Sequence, residues 1–117
     1  MTRRGDVVIV DFPFSDVPGG KKRPAVVIQS DRVNLQIRKT IPALVTGNLR
    51  RTGDPCHVLV DPDLPEGSSS GLNGPSLISC WNLYTIDQAR IERTIGHLSD
   101  TLKQRLNDAL KEAMEIV

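Results

Sequence analysis

The length, composition and charge of this chain favour one small domain and exclude several classes of protein. Its 117 residues suit a single domain over 1–117, which buries enough surface to fold without disulfides or metals. The net charge of +1 means that a nucleic-acid binder would have to rely on local basic patches. Aromatic residues make up 3% of the chain, too few for a platform that stacks several bases.

Short apolar runs separated by turn residues predict a series of β-strands through the first hundred residues. Strands are predicted at 7–12, 24–30, 40–46, 57–61 and 76–81, with shorter pairings at 83–86 and 91–98. We expect Pro24 at the start of its strand and Pro42 at an edge or a bulge, because proline cannot donate to a ladder. The segments 13–23 and 62–75 are rich in Pro, Gly and Ser and are predicted loops.

The hydrophobic period changes after residue 98. Ser99 or Asp100 can cap a helix, and apolar residues then recur at helical spacing: Leu102, Leu106, Ala109, Leu110, Ala113 and Val117. Several short strands followed by one C-terminal helix predict a mainly β fold, a small and strongly bent sheet or barrel closed by that helix. The Gly19-Gly20-Lys21-Lys22 stretch lacks the Ser/Thr and the helix of a phosphate-binding loop.

The two cysteines and the N-terminal segment bear on location. Cys56 and Cys80 belong to no CxxC or Cys/His pattern, so we expect reduced thiols and no metal site, with a disulfide as the alternative. Asp6 and Asp11 interrupt the apolar residues near the start of the chain, which predicts neither a signal peptide nor a membrane span. We therefore expect a cytoplasmic protein without membrane attachment.

Several motifs, in the same order and with similar gaps, resemble the MazF/PemK family of type II toxins. They are RGDV (4–7), RPAVVI (23–28), IPALVTGN (41–48), PCHV (55–58), TID (85–87) and IGHL (95–98). The resemblance implies a small SH3-like barrel of the MazF/PemK/CcdB type, with a C-terminal helix, that forms a symmetric homodimer. It also implies an endoribonuclease that cuts single-stranded RNA at short sequence motifs without a metal or other cofactor, and a cognate antitoxin that silences it.

Two residues are predicted to be catalytic. RNA can be cleaved by its own 2′-hydroxyl, which leaves the protein to stabilise the phosphate and to move protons. Arg23 is the first candidate, because a guanidinium is always charged and grips phosphate oxygens as a fork. It matches the family's loop arginine before proline, and the alternative is a solvated strand-edge arginine. Thr46 matches the family's active-site threonine, and the alternative is a local backbone hydrogen bond.

The chain departs from the family pattern in two places. Some members carry an acidic residue in the first loop, where the nearest residues here are Asp16 and Pro18. Others carry an Arg and an Asp two apart in the fifth strand, where this chain has Ser79 and Trp81. No carboxylate base is available at that spot. Either the two catalytic candidates carry most of the catalysis or this protein is weakly active.

Further side chains are candidates for RNA binding. Basic loop residues bind phosphates without reading sequence, and asparagine amides can read base edges. These candidates are Lys21, Lys22, Asn48, Arg50, Arg51 and Asn82. Trp81 is expected in the core or a dimer interface ahead of stacking on a base. His57 begins a strand and is expected to lack a carboxylate partner nearby in sequence, so we expect it to be packed or hydrogen-bonded rather than a proton shuttle, with His97 a weaker candidate still.

Two other functions stay open from the sequence. A non-catalytic gyrase inhibitor of the CcdB type has a similar architecture, but those toxins depend on a C-terminal Trp-Gly-Ile and this chain ends Met114-Glu115-Ile116-Val117. A degenerate copy that only binds its antitoxin is the other, and the departures at Ser79 and Trp81 favour it. A toxin endoribonuclease is the primary prediction.

Overall fold

Most of the fold is one six-stranded antiparallel sheet. The computed structural model describes residues 2–13, 17 and 21–117. The strands are β1 (Asp6–Asp11), β2 (Lys22–Val27), β3 (Lys39–Thr40), β4 (Pro42–Thr46), β5 (His57–Val60), β6 (Ser76–Leu83), β7 (Ile86–Asp87) and β8 (Ile91–His97). The large sheet has the order β5-β6-β4-β2-β1-β8, and β3 pairs with β7 in a separate ribbon.

The predicted mainly β fold with a C-terminal helix is confirmed, whereas the predicted barrel is not closed. Strands β5 and β8 are the two edges of the large sheet, and in the described part of the chain they do not pair with each other. The ladders between β1 and β8 and between β4 and β6 contain register shifts. Such irregularities bend strands and increase their twist, so the sheet curves without forming a ring.

The helix predicted at the C-terminus is α2 (Asp100–Met114). Ser99 caps it, because its hydroxyl oxygen accepts from the amide of Leu102 at 3.2 Å. The apolar face packs on β5 and β6, and Leu106 is fully buried there. Val117 lies past the end of the helix and is exposed, so its assignment to that face is wrong.

A second, short helix was not predicted. It is α1 (Asp31–Gln36), and Ser30 caps it by accepting from the amide of Val33. Its length of 6 residues gives too little periodicity to recognise in the sequence. The expectation of a single helix is therefore wrong. None of the described helices is both long and apolar enough to cross a membrane.

Two apolar clusters occupy opposite faces of the sheet, because successive side chains of a strand point to opposite sides. On one face, Val26, Val45 and Ile78 pack with α2. On the other face, strand residues such as Val27 and Leu44 pack with a second cluster around β1. Further along this second face the side chains of β4, β5 and β6 become polar, and the candidate site lies there.

The two strand prolines differ in part from expectation. Pro24 is the third residue of β2, a central strand, so its predicted place at the strand start is wrong. Pro42 is the first residue of β4, which is also central, and this rules out an edge. The register shift that follows Pro42, between Ala43 and Val45, agrees with the alternative of a bulge.

The N-terminal motif forms a structural joint, which we call the N-terminal joint (residues 3–6, His97 and Asn107). The Arg4 guanidinium donates to the carbonyl of Ile28 and to Oδ1 of Asn107, both at 2.8 Å. One oxygen of Asp6 accepts from the Arg3 amide, and the other lies 2.9 Å from Nδ1 of His97. The motif that carried part of the resemblance thus fastens the chain start to β2, β8 and α2.

Candidate active site

A cleft of about 330 Å³ lies on the sheet face opposite α2. Strands β2, β4, β5 and β6 form its floor, and the loop after β4 forms one wall. Most of the predicted site residues line it together with residues that the sequence did not single out. The lining consists of Arg23, Leu44, Thr46, Asn48, Arg50, Arg51, His57, Leu77, Ser79, Trp81 and Asn82.

Arg23 and Thr46, the two predicted catalytic residues, lie in this cleft together. The register that pairs Ala25 with Leu44 brings Pro24 opposite Val45, and proline has no N–H to give to its neighbour. Instead, Nη2 of Arg23 donates to the Val45 carbonyl at 3.3 Å. The Arg-Pro sequence therefore holds the guanidinium beside the last residue of β4, which is Thr46.

The Thr46 hydroxyl makes the local hydrogen bond that we considered as its alternative role. Its oxygen accepts from the amide of Asn48 at 3.1 Å, and the Asn48 side chain accepts from the amide of Arg50 at 3.0 Å. These bonds shape the start of the wall and occupy the hydroxyl only as an acceptor. Its proton can still be donated to a phosphate oxygen in the cleft.

The loop after β4 is a series of turns that ends at a carboxylate. Gly53 has φ +91°, a conformation that glycine adopts without strain. Asp54 follows, and its Oδ1 accepts from the amide of Cys56 at 2.8 Å. The same oxygen lies 2.9 Å from Nδ1 of His57. Our expectation that His57 lacks a carboxylate nearby is wrong, because Asp54 precedes it by three residues and a turn folds it back.

Cross-strand pairing connects His57 to the cleft. The register of β5 and β6 places His57 directly opposite Ser79, and Nε2 of the ring is 3.1 Å from the serine Oγ. The side-chain amide of Asn82 donates to the same Oγ at 2.9 Å. The His57 side chain is 4% exposed. The expectation of a hydrogen-bonded histidine is confirmed. Its hydrogen bonds also connect Asp54, Ser79 and Asn82, which the sequence had not linked.

Trp81 covers this network from the solvent side. Its ring meets His57 edge-on, with 4.7 Å between centroids, and Arg51 lies 5.1 Å above the indole. At 52% exposure it is not a core residue, so that expectation is wrong. Its role in a dimer interface stays a prediction.

The electrostatics of the cleft favour an anion. Three arginines line it, and the lining residues in the described part of the chain include no carboxylate. The hydrogen bond from His57, together with that from the Cys56 amide, lowers the pKa of Asp54 below its usual value of 3.8. Asp54 is therefore ionised at neutral pH, behind the histidine rather than in the cleft.

Some predicted residues lie elsewhere. Lys22 places its Nζ 3.0 Å from Glu92 of β8, and this hydrogen bond raises the pKa of Lys22. Lys21 is exposed beside it and does not line the cleft. RNA binding by either lysine stays a prediction. Asp16 and Pro18, considered for the acidic loop position, lie outside the described residues.

Two further expectations concern the cysteines and a metal site. Cys56 and Cys80 are both free, as expected, and Cys56, just before β5, lies beside Cys80 of β6, whose amide donates to the Cys56 carbonyl. Burial raises the pKa of the Cys80 thiol to about 11. Within the residues that the structure describes, no three His, Cys, Asp or Glu side chains are grouped to hold a metal.

Comparison with known proteins identifies the family. A model of the PemK-like, MazF-like toxins of type II toxin–antitoxin systems matches residues 3–114. The chain belongs to this family. It is 32% identical over 111 residues to the Endoribonuclease MazF of Staphylococcus saprophyticus, covering 94% of this chain and 88% of that protein.

Solved structures support the same fold. The Mycobacterium tuberculosis toxin MazF-mt6 is 26% identical and superposes with a TM-score of 0.77, covering 96% of this chain and 98% of that one. An endoribonuclease from a mycobacterial species, solved with its cognate antitoxin, is 19% identical with a TM-score of 0.78, covering 100% and 98%. This toxin therefore shares its whole described fold with the MazF group.

Proposed function

We propose that this toxin is an endoribonuclease that cleaves single-stranded RNA at short sequence motifs without a metal or other cofactor. The observation that carries the proposal is the cationic cleft in which Arg23 and Thr46 are neighbours. Its relative from Staphylococcus saprophyticus, an endoribonuclease by name, supports the same activity. Such an enzyme would act in the cytoplasm, where its RNA substrates are.

The 2′-hydroxyl of the RNA is the nucleophile. Its oxygen forms a bond to phosphorus while the bond from phosphorus to the 5′-oxygen breaks, which leaves a 2′,3′-cyclic phosphate and a 5′-hydroxyl. Negative charge grows on the phosphate oxygens during this step, and Arg23 and Thr46 donate to them. Removing one such donor from an enzyme typically lowers kcat by about 10²–10³.

The rest of the cleft binds the strand around the scissile phosphate. Arg50 and Arg51 are exposed at the wall and contact flanking phosphates, which gives affinity without sequence preference. Asn48 and Asn82 also line the cleft, and their exposed side-chain amides discriminate base edges. The small cleft volume means that neighbouring nucleotides run across the exposed surface near the two arginines.

A homodimer and a cognate antitoxin complete the proposal. Exposed apolar side chains at Leu49 and Leu59, near the cleft, are surface that a partner chain would bury. One solved relative is bound to its antitoxin. An antitoxin for this toxin would carry acidic residues into the arginine-rich cleft and compete with RNA. Sedimentation of a monomer at micromolar concentration would contradict the dimer.

The decisive experiment compares Arg23→Ala with the wild type on labelled single-stranded RNA, with and without EDTA. We expect wild-type cleavage to persist in EDTA and kcat of the variant to fall about 10²–10³-fold, with loss of growth arrest on induction. Arg93→Ala is the matched control, since Arg93 is an exposed strand arginine far from the cleft. Equal cleavage and toxicity in Arg23→Ala would refute the assignment of this residue.

The same assay separates the alternatives. A wild-type protein that leaves RNA intact but captures its antitoxin would be a degenerate toxin. One that inhibits DNA supercoiling by gyrase and leaves RNA intact would be a CcdB-type inhibitor. Either result would overturn the proposed activity.

A further inference from the structure

A line of hydrogen-bonded groups runs from the back of the cleft into its interior. It passes from Asp54 through His57 to Ser79, where Asn82 joins it, with consecutive distances of 2.9, 3.1 and 2.9 Å. The roles of Arg23 and Thr46 do not use these groups. Those roles also leave one task unassigned, which is removal of the proton from the 2′-hydroxyl.

The chemistry of the partners fixes the direction of each hydrogen bond. An ionised carboxylate only accepts, so in the neutral imidazole of His57 Nδ1 carries the hydrogen and Nε2 presents a lone pair. The Ser79 hydroxyl donates to that lone pair. Asn82 donates its amide hydrogen to the serine oxygen. The other lone pair of Ser79 is then left for a donor that enters the cleft.

We propose that Ser79 accepts the proton of the 2′-hydroxyl and passes its own proton to His57, which Asp54 orients. In this step the RNA proton moves to the Ser79 Oγ as the serine proton moves to Nε2. The 2′-oxygen then bonds to phosphorus, and the departing 5′-oxygen takes a proton from water. Imidazolium and carboxylate remain as a pair, and later loss of the proton to water restores the resting enzyme. This proposal rests on the proposed RNA cleavage.

Burial makes the arrangement suitable for proton transfer. Ser79 is 3% exposed, and Trp81 with Arg51 stacked on it shields His57 from solvent. A shielded hydrogen-bonded chain keeps its geometry and competes little with water. Other family members carry an Arg and an Asp where β6 of this chain has Ser79 and Trp81. Through Ser79, the network supplies a base on this strand.

The first test is a serine series in steady-state and single-turnover cleavage of RNA. We expect Ser79→Ala to lower kcat about 10²–10⁴-fold while KM stays within about twofold, because the lost interaction belongs to the transition state. Ser79→Thr keeps a hydroxyl and should recover most of the rate. Ser76→Ala is the matched control, a serine of the same strand whose hydroxyl bonds to the Gly74 carbonyl outside the cleft.

The second test addresses the histidine, which acts through Ser79. His57→Gln should lose kcat as Ser79→Ala does, and added imidazole should restore cleavage to His57→Ala but not to Ser79→Ala. His97→Gln is the control, since His97 has the same kind of aspartate partner far from the cleft. Circular dichroism of each variant shows whether it is folded, and His57→Gln carries the test if His57→Ala is not.

Each outcome has a definite meaning. If wild type and Ser76→Ala cleave RNA and Ser79→Ala retains the wild-type kcat, the relay is overturned while the proposed function stands. A folded His57→Ala that imidazole does not rescue, or a phosphate trapped on Ser79 during turnover, also overturns it. If wild type itself does not cleave RNA, the proposed function fails instead.

Discussion

Two His–Asp pairs in this toxin share a hydrogen-bond geometry but differ in their surroundings. Both join Nδ1 to a carboxylate oxygen at 2.9 Å. At the cleft the histidine is buried, with the His57 side chain 4% exposed and Asp54 28%. At the N-terminal joint the order is reversed, since Asp6 is 10% exposed and His97 42%.

The difference shows what the pair contributes in each place. Asp6 is the buried partner and also accepts from the Arg3 amide, so this pair ties backbone segments together. In the cleft the buried partner is the histidine, and its second nitrogen reaches Ser79. A His–Asp contact becomes suited to proton transfer when that second nitrogen leads to a group that a substrate can touch. The contact alone does not distinguish the two pairs.

The largest expected effect comes from exchanging each aspartate for asparagine. In Asp54→Asn the new amide can donate to Nδ1, which favours the tautomer with a hydrogen on Nε2 and removes the acceptor for Ser79. We expect kcat for RNA cleavage to fall about 10²-fold or more. Asp6→Asn should leave kcat within about twofold. Equal losses in the two variants would erase the proposed difference between the pairs.

A double variant sharpens the comparison further. Because His57 and Ser79 act as one unit, His57→Gln with Ser79→Ala should lose no more than about tenfold in kcat beyond either single change. Multiplicative losses, measured under the same single-turnover conditions, would mean that the two side chains contribute separately.

At the N-terminal joint, we expect substitutions to change the stability of the protein rather than kcat. Asp6→Asn weakens both hydrogen bonds of the joint, because the amide is neutral and only its oxygen can accept, so we expect the free energy of unfolding to fall by about 2 kcal/mol. Urea denaturation followed by circular dichroism measures this. His97→Gln removes only one of these bonds and should cost less. A loss in Asp6→Asn that is smaller than that in Asp54→Asn would contradict the assignment.

A smaller effect is expected from Arg51, which lies over the Trp81 ring that covers His57. Arg51→Ala removes a cation–π contact with Trp81 and one charge for RNA phosphates. We expect KM to rise a few-fold and the slope of log affinity against log salt to decrease by about one. Lys111→Ala should change neither quantity, since Lys111 lies on α2, on the face of the sheet opposite the cleft.

The smallest effect concerns acid stability. The pKa of Asp54 is lowered in the folded protein, so its contribution is present above the usual carboxyl pKa of 3.8 and is lost as pH falls through the folded value. Wild type should therefore be more stable than Asp54→Asn at pH 7, and the gap should close as pH falls through the lowered pKa of Asp54. Thermal unfolding across this range measures the gap, and a constant difference would contradict the cause given for the lowered pKa.

Local sequence signals predicted much of the fold. The helix at the C-terminus was predicted from the apolar spacing after Ser99, because a helix that buries one face repeats its apolar residues at helical spacing. The strands were located to within a few residues for the same reason. Helix α1 and the open sheet were not predicted. A 6-residue helix has too short a period to detect, and closure depends on edge strands that lie far apart in the chain.

By itself, the sequence determined the family through its motifs, the mainly β architecture and the candidates Arg23 and Thr46. The tertiary structure decided which polar residues act together. Asp54 and His57 are close only because the turn at residues 54–57 folds the chain back, with the His57 amide donating to the Asp54 carbonyl, and His57 meets Ser79 only through the register of β5 and β6. Hydrogen bonds depend on distances of about 3 Å, and pairing between strands sets those distances for residues that are far apart in the chain.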